Sequence, residues 1–126
     1  MAVIVPTVGR NKFLQLVLNQ TLTLKLFSNN IVPAITDTNA TYTEVTGGGY
    51  VNKPLVYADW TLVDNLATYL ARDFNFTGVI GGSGIVYGFY IVDAANIVLQ
   101  SEKFSSSVTP INGSLIRITP KFRFTQ

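Results

Sequence analysis

The segment Leu24-Lys-Leu-Phe-Ser-Asn-Asn-Ile-Val-Pro33 decides the fold class, because an alternating strand runs directly into a turn. Every second residue from Leu22 to Leu26 is leucine, which is the pattern of a β-strand with one buried face. Asparagines after such a strand favour a turn, and a proline suits a strand edge or a loop. The segment therefore predicts antiparallel β-structure.

The second half of the chain extends this prediction. The stretch 85–92 is apolar at almost every position, which is typical of a strand covered on both faces. One predicted face holds Tyr87, Phe89 and Ile91, and the other holds Val86, Tyr90 and Val92. A hairpin turn at 93–96 then leads into a strand over 97–104, and 105–113 is predicted to be a loop.

The stretch 114–124 is predicted to be one continuous strand, because apolar and polar residues alternate along it. Its predicted inward face holds Ile116, Ile118, Phe122 and Phe124, and its outward face holds Arg117, Thr119, Lys121 and Arg123. Before all the strands, the spacing of apolar residues in 11–19 predicts a short helix with Asn11 as its N-cap. The expected fold is all-β: an antiparallel β-sandwich or a jelly-roll-like barrel with one short N-terminal helix.

Glycines cluster at two places in the chain. Gly47-Gly-Gly49 requires unusual backbone angles or a close approach, and Thr41 with Glu44 has the spacing of a capping box just before it. The glycines of 78–84 lack the order of a dinucleotide-binding or P-loop motif, so they predict a loop between strands.

At 126 residues the chain is the size of one domain, which we assign to 11–126, preceded by an N-terminal arm at 1–10. The sequence holds neither cysteine nor histidine, which excludes disulfides, Ser-His-Asp triads and Cys-His pairs. No run of about 18 apolar residues predicts a membrane span, and the N-terminus lacks the pattern of a secretory signal. A net charge of +2 is no evidence for nucleic-acid binding. Charged residues make up only 13%, which fits either extensive coverage by partners or copies of the same chain, as we expect, or a neutral surface of Thr, Asn and Ser that stays soluble without many charges.

Two sets of side chains are candidate binding residues. Arg117, Lys121 and Arg123 form a predicted basic stripe, which either meets an acidic partner surface or is a solvated face that discourages edge-to-edge aggregation. The aromatic residues of the second set are predicted to be core or interface anchors, with an exposed, glycan-binding ladder as the alternative: Tyr50, Tyr57, Trp60, Tyr87 and Tyr90. The carboxylates show no pairing that indicates a hydrolytic site.

Over most of its length the chain resembles small β-rich virion structural proteins of tailed bacteriophages (Caudoviricetes). The resemblance is carried by Phe13-Leu-Gln, by Leu24-Lys-Leu-Phe-Ser-Asn-Asn with Pro33, by the loop from Thr41 to the Gly-Gly-Gly-Tyr50 bend, by Val86-Tyr-Gly88 and by Glu102-Lys-Phe104. It implies a virion component without enzymatic activity, and it supplies no catalytic, cofactor-binding or metal-binding residue.

Among virion roles we favour a capsid cement, or decoration, protein, made in the host cytoplasm and placed on the capsid surface. Such proteins are small and β-rich, often form trimers, and clamp neighbouring subunits of the major capsid protein. The expected partners are therefore the major capsid protein and further copies of this chain in a homotrimer, with no nucleic acid and no membrane. The apolar arm residues Val3, Ile4 and Val5, together with the basic stripe, are the expected partner interface. The alternatives are a tail, neck or host-contact component of the virion, and a carbohydrate-binding β-sandwich.

Overall fold

The computed structural model describes residues 3–124, and within that range one α-helix precedes nine strands. The helix α1 spans Thr7–Leu18. The strands are β1 (Leu22–Phe27), β2 (Lys53–Leu55), β3 (Trp60–Val63), β4 (Leu66–Tyr69), β5 (Arg72–Asn75), β6 (Val86–Val92), β7 (Val98–Val108), β8 (Leu115–Ile118) and β9 (Lys121–Arg123). The predicted all-β fold with one short N-terminal helix is confirmed.

The strands form three antiparallel sheets, with the orders β2-β1-β6-β7, β3-β4-β9 and β5-β8. None of these sheets closes into a barrel within the described residues, so the sandwich alternative holds. The main core lies between the four-stranded sheet and the two smaller ones, with α1 at its side. It contains the three leucines of β1 and buried residues from other elements: Leu14, Leu18, Ala67, Tyr69, Phe74, Phe89, Ile91, Ile116 and Ile118.

The helix begins one turn earlier than the sequence predicts. Pro6 occupies the N-cap position in an extended conformation, and the proline ring is compatible with a helix start because no N–H is needed there. The prediction of Asn11 as N-cap is therefore wrong, and residues 7–10 of the expected arm are helical. The spacing predicts Phe13, Leu14, Val17 and Leu18 on one face of the helix. Leu14 and Leu18 are buried as predicted, whereas Phe13 is exposed.

Both faces of β6 are covered, as predicted. The outer face of the four-stranded sheet carries a second apolar cluster of Phe27, Tyr42, Tyr90 and Val92, which the long connection after β1 closes from outside. The predicted division of faces is wrong at the start of β6, however. A register shift between Val86 and Gly88 places Val86 in the main core and turns Tyr87 toward the second cluster.

The predicted last strand is divided in two. β8 pairs with β5 and β9 pairs with β4, and the break falls at Thr119 and Pro120, where proline has no N–H to donate to a ladder. The predicted alternation survives the break, because the even-numbered side chains are buried or half-buried and the odd-numbered ones are exposed. β7 also reaches Val108, so the first half of the predicted loop 105–113 is strand.

The glycine bend is confirmed as a site of unusual backbone and close approach. All three glycines at 47–49 have positive φ, and the amide of Thr77 donates to the carbonyl oxygen of Gly48 across 2.9 Å. A Cβ on Gly48 would lie 2.7 Å from the carbonyl oxygen of Gly78, so the bend packs directly on the connection after β5. The capping box occurs three residues earlier than predicted: it starts at Thr38 and ends at Thr41, whereas the prediction placed it at Thr41 and Glu44.

Candidate partner interface

Several apolar side chains of α1 and of the segment before it are exposed to solvent, beside the exposed Lys12. We call this set the N-terminal apolar surface; its members are Val3 (82% exposed), Ile4 (71%), Val8 (79%), Phe13 (49%) and Leu16 (57%). At about 100° per residue, Leu16 lies on the opposite side of the helix from the buried Leu14 and Leu18. The outward side of α1 therefore carries exposed apolar side chains, of which Phe13 stacks on the ring of Phe124.

A hydrogen bond ties the N-terminal segment to the helix. The Arg10 side chain donates from Nε to the carbonyl oxygen of Val5 across 2.7 Å. Val5 is half-buried, whereas Val3 and Ile4 project from this anchored point. Two of the three predicted arm residues are thus exposed, and the third connects them to the helix.

The helix is fixed on the end of the β3-β4-β9 sheet by contacts of Asn11 and Phe13. Asn11 accepts the backbone N–H of Asn65 at Oδ1 across 2.8 Å, and the Asn65 side chain donates to the carbonyl oxygen of Phe124 across 2.7 Å. Phe13 stacks on Phe124 with ring centroids 5.5 Å apart. Asn11, predicted as a cap, instead places the N-terminal apolar surface beside the end of β9, where Arg123 lies.

The predicted basic stripe is divided between two sheets and is not uniform in charge. Arg117, on β8, binds Asp73 on β5 with two parallel hydrogen bonds, from Nε to Oδ1 across 2.6 Å and from Nη2 to Oδ2 across 2.9 Å. This pairing holds the pKa of Asp73 below its ordinary value and raises that of Arg117. Lys121 and Arg123, on β9, are exposed and form no ion pair within the described residues. Within the predicted stripe, the positive charge without an ion-pair partner among the described residues is therefore on β9, next to the helix.

The aromatic candidates do not form an exposed ladder. Tyr90 is buried, while Tyr50, Trp60 and Tyr87 are half-buried in or against the two clusters, as the core interpretation predicts. Only Tyr57 of this set is exposed, at the edge of the sheet that contains β2.

The sequence patterns do not predict a polar network that lies under the long connection after β1. Tyr50 Oη accepts the backbone N–H of Leu26 across 3.2 Å and donates to Oε2 of Glu44 across 2.8 Å. Oε1 of Glu44 lies 3.7 Å from Nζ of Lys25, and Asn52 donates to Oε2 across 3.2 Å. Burial is the main cause that raises the pKa values of Tyr50 and Tyr90 above the ordinary range. The alternating pattern places Lys25 on the side of β1 opposite the leucines, which is expected to face solvent. Nothing local in the sequence indicates that a distant loop covers this side.

No group of three or more potential metal-ligating side chains occurs within residues 3–124. No helix in the same range has the length and apolar character needed to cross a membrane.

The chain matches no protein-family model, no curated protein and no solved structure.

Proposed function

We propose that this chain is a non-enzymatic structural protein of a tailed-bacteriophage virion, and specifically a capsid cement or decoration protein. It associates as a homotrimer, and each trimer clamps neighbouring subunits of the major capsid protein on the capsid surface. The sequence resemblance suggests the class, and the N-terminal apolar surface is the observation that carries the proposal.

Exposed apolar side chains that are grouped on one element mark sites of protein association, whereas single ones do not. Val8, Phe13 and Leu16 lie on the outward half of a single short helix, and Val3 and Ile4 continue from its start. Phe13 stacks on Phe124, but Val8 and Leu16 remain largely exposed. Helix-forming polar residues at those two positions would support α1 equally well, so packing inside this chain does not explain their apolar character. Burial against another chain does.

The charge beside this surface fits the same partner arrangement. Lys121 and Arg123 are exposed on β9, whose end is joined to α1 through the stack of Phe13 on Phe124. An acidic rim around an apolar groove on the capsid would match both features, since complementary charge fixes orientation and speeds association. Many equivalent copies, each adding a modest buried area, would together stabilise the shell.

The test combines the mass of the purified protein in solution, measured by light scattering, with binding to shells that lack it. We expect a trimer that saturates the shells at many equivalent sites and raises their melting temperature. A monomer that leaves shell stability unchanged would overturn the proposal.

A matched pair of variants assigns the interface. Leu16→Gln places a polar, helix-compatible side chain in the N-terminal apolar surface, and Ile35→Gln makes the same change at a fully exposed loop residue elsewhere. We expect Leu16→Gln to weaken shell binding or trimer formation by about tenfold or more, which corresponds to about 1.4 kcal/mol, and Ile35→Gln to leave both unchanged. Equal effects of the two variants would contradict the assigned interface.

Copy number separates the proposed role from the other virion roles. A cement protein is present in hundreds of copies per particle, whereas a neck or tail component is present in about a dozen or fewer, as the symmetry of those assemblies dictates. Quantitative mass spectrometry of purified particles makes this distinction.

A further inference from the structure

We propose that a groove between the end of α1 and the outer side of β2 binds a neutral saccharide. This α1–β2 groove is lined by residues 19–21, which connect α1 to β1, and by residues 54–57, which run from β2 into the following turn. Its volume of about 400 Å³ is in the range of small-molecule sites. The inference does not rest on the proposed function, which concerns other residues.

The groove offers an aromatic surface to a ligand. Tyr57 is 44% exposed and stands at one wall, while the buried Leu55 forms the base. The carbon-bound hydrogens of one face of a sugar ring pack on such an aromatic ring, and its hydroxyl groups then point away from it. Tyr57 is the only one of the five candidate aromatic residues in the described chain that is free to act in this way.

Polar groups with unused hydrogen-bonding capacity surround this aromatic ring. The side-chain amide of Asn19, the Thr21 hydroxyl and the Tyr57 hydroxyl have no hydrogen-bond partner within the described residues. Gln20 uses its amide nitrogen to donate to the carbonyl oxygen of Leu16 across 3.3 Å, which leaves its side-chain oxygen as an acceptor. Amides and hydroxyls both donate and accept, as a ligand covered with hydroxyl groups requires.

The charge of the groove lining disfavours two other classes of ligand. None of the lining residues is an acid, lysine or arginine, and Arg72, which lies beside the groove, donates from its guanidinium to the carbonyl oxygen of Pro54 across 2.9 Å. The groove begins where α1 ends, and the partial negative charge of a helix C-terminus opposes an anion. A cationic ligand requires a carboxylate or several aromatic rings, and the groove has one ring. A neutral, hydroxyl-rich molecule remains.

The groove and the start of the N-terminal apolar surface lie at opposite ends of α1, which is about 18 Å long at 12 residues. A saccharide in the groove would therefore leave Val3, Ile4 and Val8 free for a protein partner. That end of the surface can be occupied together with the groove, whereas Leu16 lies next to Gln20 of the groove.

Titration of the ¹⁵N-labelled protein, followed by NMR, tests the proposal. The neutral probes are the methyl glycosides of glucose, galactose and N-acetylglucosamine, and the charged probes are glucuronate and choline. We expect at least one neutral probe to give saturable shifts in the amide signals of residues 19–21 and 55–57, with a dissociation constant in the millimolar range that is usual for a single small ligand of this kind.

Three variants test which side chains contribute to saccharide binding. Tyr57→Ala should weaken binding by about tenfold, Tyr57→Phe by about threefold or less because the ring remains, and Phe13→Ala not at all, although that ring is similarly exposed. Thermal unfolding of each variant checks that it folds.

The proposal is overturned if no neutral probe shifts these signals, if shifts fall elsewhere, or if glucuronate or choline binds more tightly. It is also overturned if Tyr57→Ala binds as well as the parent protein. None of these results bears on shell binding, so failure here is distinguishable from failure of the proposed function.

Discussion

Replacement of Gly88 by alanine should destabilise this protein more than the same replacement at any of its other glycines. Gly88 lies in β6, between Phe27 of β1 and Lys103 of β7. A Cβ built on Gly88 would lie 2.6 and 2.7 Å from the Cζ and Cε1 atoms of the Phe27 ring, and it would overlap the backbone carbonyl oxygen of Glu102. Such contacts require movement of a ring and of a strand.

Neither group can move without cost. The Phe27 ring is fully buried, with the Tyr42 ring at 5.2 Å and the Tyr90 ring at 6.4 Å between centroids. The carbonyl of Glu102 belongs to the ladder between β6 and β7. Overpacking costs about 1 to 3 kcal/mol, and each ladder hydrogen bond that is lost adds about 1 kcal/mol. We expect a loss of about 3 to 5 kcal/mol, against which the gain of about 0.4 to 1 kcal/mol from a stiffer unfolded chain is small.

Urea unfolding of Gly88→Ala and Gly78→Ala measures this difference. Gly78 is a matched control, because its backbone φ is not positive and its added Cβ would meet no atom within 4 Å. We expect Gly78→Ala to lie within about 1 kcal/mol of the parent protein. Adding Phe27→Leu to Gly88→Ala should recover only part of the loss, since the contact with Glu102 remains. A loss below about 1 kcal/mol for Gly88→Ala would refute the argument.

Three further outcomes follow from the polar contacts. Tyr50→Phe should lower the free energy of unfolding by about 1 to 3 kcal/mol, because it leaves the backbone N–H of Leu26 without its acceptor; unfolding in urea measures this, and an unchanged midpoint would contradict it. Burial raises the pKa values of Tyr50 and Tyr90, so their protonated forms stabilise the native state below about pH 10, and this stability should be lost as pH rises through the folded pKa; ultraviolet titration should show both phenols ionising later than those of the unfolded chain. The Asp73 pKa lies below its ordinary value because Arg117 binds the carboxylate, so the contribution of this pair should persist above the unfolded pKa and be lost as pH falls through the folded one; in Arg117→Gln, carboxyl NMR should show the Asp73 pKa rising toward its ordinary value.

The fold class could be read from local pattern because alternation and turn residues are properties of neighbours in the chain. The leucines of β1 alternate with polar residues, and the glycines at 47–49 permit backbone angles that other residues resist. These preferences act over two to five residues, so they can be recognised without knowing how the rest of the chain packs. The same reasoning explains why the inward and outward faces of 114–124 were predicted correctly.

The partner of each strand and the location of each break required the tertiary structure. Pro120 splits the last strand because β5 and β4 lie in different sheets, and a register shift in β6 reverses the faces of Val86 and Tyr87. The charge of Arg117 is balanced by Asp73, which is 44 residues away in the chain.

The sequence by itself determined a mainly antiparallel β-fold with one short helix, and it identified apolar residues at the N-terminus and basic residues near the C-terminus. Only the tertiary structure joined those two regions through the Phe13–Phe124 stack, covered Lys25 with a loop, and brought Tyr57 to the end of α1. The physical reason is the distance along the chain over which each effect acts. Backbone preference and side-chain period are encoded by adjacent residues, whereas burial and contact are set by segments that meet only once the whole chain has packed.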